Sequence, residues 1–165
     1  MITIKVATTA DIKTIQEIAQ TTWPVTYGTI LSIEQLDYMM NLIYSEEALI
    51  KQIQKQEQLF YLVYDTSLVI AFMAIEHEYK NEAVTRIHKI YLLPETQGKG
   101  IGRTIIDEIE KLACQNNSKL LSLNVNRFNP ALSFYQKIGF EIVAEENIDI
   151  GNGYLMEDYR MEKKI

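Results

Sequence analysis

A single cysteine, Cys114, excludes an internal disulfide, so the 165-residue chain has no need of an oxidising compartment. Histidine is almost as scarce. His77 and His88, with that one thiol, do not make a zinc-ligand set, and no metal is expected. No apolar run approaches the roughly 18 residues of a membrane-crossing helix, and no charged-then-apolar leader opens the chain. The expected setting is the cytoplasm, away from any membrane. Basic residues are outnumbered 16 to 22, giving a net charge of −6, whereas a nucleic-acid binder usually shows a basic face. The same acidity suits a cationic or amine substrate. Repeats, low-complexity tracts and linkers are also missing. What remains is one expected domain, 1–165, large enough to bury roughly two-thirds of its unfolded surface.

Glycine is sparse as well, yet three of the seven fall within five residues, at 98, 100 and 102. They lie in Gln97-Gly98-Lys99-Gly100-Ile101-Gly102-Arg103. Ahead of this run, Ile87–Leu93 is rich in β-formers and closed by Pro94, which cannot donate to a sheet ladder. Behind it, Ile101, Ile105, Ile106, Ile109 and Leu112 share one face at helical spacing. A glycine-rich turn that opens a helix presents unpaired N–H groups and the positive end of the helix dipole. That combination suits a pyrophosphate, and without a Cβ the backbone can come close to it. A Walker loop is excluded, because no Gly-x-x-x-x-Gly-Lys-Ser/Thr occurs. A dinucleotide fingerprint fails too, since its third glycine would fall on Arg103 or Ile105. An ordinary strand-to-helix turn remains the bland alternative.

The remaining elements follow from pattern. Residues 2–7 alternate as a half-buried strand. Thr8 with Asp11 starts a first helix carrying Ile12, Ile15, Ile18 and Ala19, which Trp23-Pro24 is expected to break. Ser32 and Ser45 are placed to cap a second and a third helix. Gln58–Tyr64 and Leu68–Tyr79, joined by Asp65-Thr66-Ser67, read as a hairpin. A strand over 84–93 leads into the glycine loop and a helix over 101–114. Leu121, Leu123 and Val125 alternate with polar residues as a further strand. Asn129 is placed as a helix cap with Pro130 at the first helical position and Gly139 at the end. Phe140–Ala144 and Tyr154–Met161 complete the set around Gly151-Asn152-Gly153. The order β-α-α-α-β-β-β-α-β-α-β-β is an α/β pattern with a single mixed central sheet of about seven strands flanked by helices.

Two of these segments carry a family resemblance. Gln97, Gly100 and Gly102 match Gln/Arg-x-x-Gly-x-Gly, and this resembles the acyl-coenzyme A pyrophosphate loop of the GNAT superfamily of N-acetyltransferases. Asn129-Pro-Ala-Leu-Ser-Phe-Tyr135-Gln-Lys-Ile-Gly139-Phe140 resembles the family's Asn-x-x-Ala-x-x-Phe-Tyr-x-Lys-x-Gly-Phe, one residue shorter before the alanine. Trp23-Pro-Val-Thr-Tyr27 and Gly153-Tyr-Leu-Met-Glu-Asp-Tyr159 are similar to a bacterial branch that includes polyamine acetyltransferases.

The resemblance implies the GNAT fold over the full length and direct acetyl transfer from acetyl-CoA to an amine. It implies that Ile90, Tyr91 and Leu92 hold the pantetheine arm through the strand backbone. Gln97, Gly98, Lys99, Gly100, Ile101, Gly102 and Arg103 would hold the pyrophosphate, with Asn129 as a cofactor contact besides its role as a cap. Tyr135 matches the tyrosine that protonates the leaving thiolate. For the general base several readings stand. Some relatives carry a glutamate at the strand position of Asn124, and asparagine cannot take a proton. His88 shares a strand face with Ile90 and occurs at a spacing seen in arylalkylamine acetyltransferases, and its type suits base work. It is equally readable as a structural strand histidine, with Glu76 or waters bound by Asn124 or Tyr27 as further candidates. The expected acceptor is a small amine such as a polyamine, with a peptide N-terminus as runner-up and a non-catalytic acyl-coenzyme A sensor as the competing class. No nucleic-acid or membrane partner is expected, and a homodimer is left open.

Overall fold

The computed structural model describes residues 1–165, which form β1 (Ile2–Val6), α1 (Ile12–Tyr27), α2 (Ile33–Tyr44), α3 (Glu46–Lys55), β2 (Leu59–Asp65), β3 (Leu68–Glu76), β4 (Val84–Leu92), α4 (Ile101–Gln115), β5 (Leu120–Asn126), α5 (Ala131–Lys137), β6 (Glu141–Gly151) and β7 (Tyr154–Lys164). The strands form one seven-stranded sheet in the order β1-β2-β3-β4-β5-β7-β6. It is mixed: β4 and β5 run parallel, while β5 with β7 and β7 with β6 run antiparallel. The chain divides into two compact units, 1–76 with 88–107, and 77–87 with 108–165.

In the first unit the local signals act as their chemistry demands. Thr8 and Asp11 form a capping box over a short 3-10 turn that leads into α1. Ser32 accepts from the Gln35 N–H at 3.1 Å and Ser45 from the Ala48 N–H at 3.2 Å, opening α2 and α3. β1 pairs antiparallel with β2, and β2 with β3. Ile70 to Ile75 are buried without interruption, as an apolar strand covered on both faces should be. Thr66 takes a left-handed conformation (φ 57°) in the two-residue turn between β2 and β3.

Two expectations fail here. Trp23-Pro24 does not break the first helix; α1 continues to Tyr27 with Pro24 inside it. Proline removes one backbone bond. Trp23 and Tyr27 are buried in an aromatic cluster with Tyr44, Phe72 and Tyr91, and this anchors the last turn. The strand expected to reach Tyr79 stops at Glu76, because Glu78, Lys80 and Asn81 all adopt positive φ in a tight turn. Alternation past 76 imitates a strand that the backbone has already left.

In the second unit the first half of β4 pairs with β5, from Val84 opposite Leu120 to Ile87 opposite Leu123. Gly139 ends α5 at φ 102°, a conformation that costs a side-chain-bearing residue strain. β6 and β7 form a long hairpin through Asn152 and Gly153, both at positive φ. β6 runs to Gly151, well beyond the expected Ala144. Its polar stretch Glu145–Asp149 has no strand signature of its own and is held by pairing with β7.

Candidate active site

β4 shows how alternation sorts the site. Ile87 and Lys89 are buried, while His88 and Ile90 on the opposite face keep partial exposure. His88 Nε2 lies 2.7 Å from Glu76 Oε2 at the end of β3, with side-chain exposures of 22% and 26%. A carboxylate only accepts, so against it Nε2 is the nitrogen that carries the ring proton. Two of the candidate bases therefore stand as one hydrogen-bonded pair. Tyr91 turns to the other face, its hydroxyl 3.3 Å from that of Tyr27.

The glycine run follows as expected at the start of α4. A 3-10 turn over Pro94–Thr96 carries the chain out of β4, and Gln97 Nε2 donates back to the Leu92 carbonyl at 3.4 Å. Gly98 and Gly100 both sit at φ 77°, and a Cβ built on either meets nothing within 4 Å. The loop thus has left-handed backbone facing open space. The first bonded amide of the helix is that of Thr104, to the Gly100 carbonyl at 3.2 Å; those ahead of it precede the helical ladder. Gly102 differs from the other two glycines, because it lies inside α4 and does not adopt positive φ. Arg103 is exposed and pairs with Asp107 at 3.4 Å. Lys99 is exposed. Ile90, Tyr91, Leu92 and the residues 97–103 are thus consecutive parts of one strand–loop–helix segment in the first unit.

Asn129 and Tyr135 belong to the second unit. The Asn129 side chain accepts from the Ala131 N–H at 2.9 Å, but the N-cap of α5 is Pro130, one residue later than expected, so Asn129 braces the turn that leads into the helix. The Tyr135 ring lies between Phe134, at 5.3 Å, and Phe140, edge-on at 5.6 Å. Asn124 sits in a polar network. Its Oδ1 accepts from Arg86 Nη2 at 2.6 Å, and its Nδ2 donates to Glu146 Oε2 at 2.9 Å and Asp158 Oδ2 at 3.3 Å. Arg86 also donates to Ser122 Oγ at 2.8 Å, and Arg160 to Glu146 at 3.0 Å. Burial pushes the Asp158 carboxyl above its ordinary range, against the pull of Asn124, Arg86 and Arg127.

Other polar candidates are absorbed by structure. His77 Nδ1 is 2.8 Å from Thr85 Oγ1, which in turn meets Ser118 Oγ at 2.8 Å, and burial lowers the histidine's pKa. Cys114 is exposed. Trp23, Tyr27 and Met39 are buried core residues. Sequence reasoning overlooked Lys89, although the alternation that exposes His88 and Ile90 already sends it inward. It is 8% exposed, and burial alone pushes its pKa down to about 7. Carboxylates near Asn124 were equally invisible, since Glu146 and Asp158 arrive on other strands.

Comparison with known proteins agrees with this architecture. The description "Acetyltransferase (GNAT) domain" matches residues 31–163. A spermidine N(1)-acetyltransferase of Thermoplasma acidophilum is 32% identical over 152 residues, covering 89% of this chain and 90% of its own. The crystal structure of the PaiA N-acetyltransferase from T. acidophilum, in complex with coenzyme A, aligns with a TM-score of 0.83 at 29% identity, covering 100% of this chain and 99% of that one. An uncharacterised N-acetyltransferase of Bacillus subtilis, YuaI, is 28% identical over 163 residues, covering 95% and 90%. The chain belongs to the GNAT family of acetyltransferases and has that family's fold.

Proposed function

We propose that this acetyltransferase, acting as one domain over 1–165 in the cytoplasm, moves an acetyl group from acetyl-CoA directly to a primary amine, with a polyamine-type small amine as acceptor. The observation that carries the reading is the His88–Glu76 pair at 2.7 Å on the strand that leads into the glycine loop. The loop fits the proposed co-substrate: left-handed Gly98 and Gly100 face open space, and helix-start amides follow them. Gln97–Arg103 would hold its pyrophosphate, Ile90–Leu92 its pantetheine arm, and Asn129 would add a contact. Bound there, acetyl-CoA supplies the activated acyl group.

The chain's own residues supply proton handling. An amine must be neutral to attack, and His88 is the proposed base that takes its proton, with Glu76 holding the ring. Tyr135 donates a proton to the departing thiolate, its ring held by Phe134 and Phe140. A small amine is favoured by the acidic balance of −6 and by the spermidine acetyltransferase relative.

Acetyl-CoA turnover with spermidine, peptide N-termini and a broad amine panel tests the reading. A higher kcat/KM for peptides rejects the polyamine assignment. Coenzyme A binding with no acetylation of any acceptor makes the protein a sensor. Tyr135→Phe should slow single turnover by about 10²–10⁴-fold with acetyl-CoA affinity nearly unchanged. A wild-type rate would leave Tyr135 as a packing aromatic.

A further inference from the structure

Lys89 is buried without an anion. Its Nζ donates to Gln52 Oε1 at 2.8 Å and Gln58 Oε1 at 2.7 Å, and lies 5.1 Å from the centre of the Phe60 ring. Two amide oxygens and an aromatic face thus stand where a carboxylate would ordinarily stand. An ammonium has three donors, and these three neighbours account for its directions. Gln52 is engaged at both ends, since its Nε2 donates to the Ile43 carbonyl near the end of α2 at 2.8 Å. One chain of bonds therefore runs from β4 through α3 to α2. Burying an unpaired cation is costly, and an apolar side chain would fill the same position without that cost. The position itself lies between His88 and Ile90, on the strand to which the proposed function assigns the base and the pantetheine contacts.

We propose that Lys89 is a positioning residue whose ammonium clamps β4 to α3 and α2, holding His88 and Ile90–Leu92 in working register. The inference rests on the acetyltransfer reading for its catalytic consequence. The ionisable groups on the adjoining segments are Glu34, Asp37, Tyr38 and Tyr44 of α2, Glu46, Glu47, Lys51 and Lys55 of α3, Glu57 ahead of β2, Tyr61, Tyr64 and Asp65 of β2, and Arg86, His88 and Tyr91 of β4. No charge on any of them contributes to the lysine's shift; loss of water does. Loss of the proton on raising pH removes one donor and the cation–π contact, so the clamp loosens as pH rises through about 7.

The experiment compares wild type, Lys89→Met and Gln52→Glu. Acetyl-CoA and spermidine are the substrates, and amide hydrogen exchange is measured on the free proteins. Lys89→Met should lose on the order of 10²-fold in kcat, the scale of a small misplacement of reacting groups. It should also show faster exchange at His88–Leu92 and Ile43–Tyr44. Gln52→Glu supplies an anion, raises the lysine's pKa, and should move the descending limb of kcat to higher pH. A merely space-filling lysine would not move that limb. A folded Lys89→Met with wild-type kcat and exchange overturns the inference, as does an unmoved limb in Gln52→Glu. If wild type acetylates nothing, the acetyltransfer reading fails separately. Exchange then decides on the clamp alone: unchanged rates in the variants overturn it.

Discussion

Two polar groupings on the strands differ in the kind of group at their centre, an amide in one and an imidazole in the other. Around Asn124 the amide oxygen meets Arg86, both amide hydrogens meet carboxylates, and Glu146 is shared with Arg160. Asn124 thus cross-ties β4, β5, β6 and β7, while Arg86 Nε, Arg160 Nε and Asp158 Oδ1 stay buried without a hydrogen bond. His88 has a carboxylate at 2.7 Å and lies on a partly exposed face. The comparison teaches that polarity on a strand face is not enough to mark chemistry. An amide bonded to charged groups on three other strands holds strands together, whereas a histidine against a carboxylate brings an acid–base group to its strand face.

The comparison is broken most severely by His88→Gln. If the pair is the base, kcat should fall by about 10²–10⁴-fold while the protein keeps its stability. Glu76→Gln should give a smaller loss, because it removes orientation and leaves the imidazole. Steady-state kcat for both variants checks this. Equal and negligible losses would make the pair structural, like the Asn124 network.

Asn124→Leu should act the other way. It leaves Arg86, Glu146 and Asp158 short of partners, and each buried group so stranded costs about 1–3 kcal/mol. Denaturant unfolding should show that destabilisation, with kcat of the remaining folded protein close to wild type. A large fall in kcat at unchanged stability would move Asn124 into the mechanism.

Asp158→Asn should have the smallest effect and a particular pH signature. Asp158 is 7% exposed, and desolvation raises its folded pKa above the unfolded value. The folded state therefore binds its proton more tightly, and that contribution is present at low pH. It is lost as pH rises through the ordinary carboxylate value and then the folded one. The neutral variant should flatten this part of the stability profile and match or exceed wild type at pH 7. Melting temperature against pH reads it. A variant clearly weaker at pH 7 would mean that the attraction of Arg86 and Arg127 outweighs the loss of solvent.

Much of the fold was legible because its signals are local. Ser32 and Ser45 cap helices through atoms three residues away, Thr66 makes a two-residue turn, and Gly98 and Gly100 supply left-handed backbone where the chain passes from strand to helix. Such features depend on neighbours in the chain, so composition and spacing alone expose them. The same holds for the two motifs that suggested the family.

What needed the folded molecule depends on distant partners. Pro24 stays within α1 because Trp23 and Tyr27 are buried among aromatic rings from other elements, an anchoring that outweighs one lost backbone bond. β6 extends through polar residues because β7 lies beside it. Asn124 is neutral and unremarkable until Arg86, Glu146 and Asp158 close around it. In sequence, Lys89 is one more cation beside His88, and Glu76 stands twelve positions from the histidine it orients. By itself the sequence determined helix starts, turns, the glycine loop and the family, all set by interactions along the chain. Only tertiary structure decided which charges are buried and which carboxylate meets the histidine, because burial and ion pairing depend on what folding brings alongside.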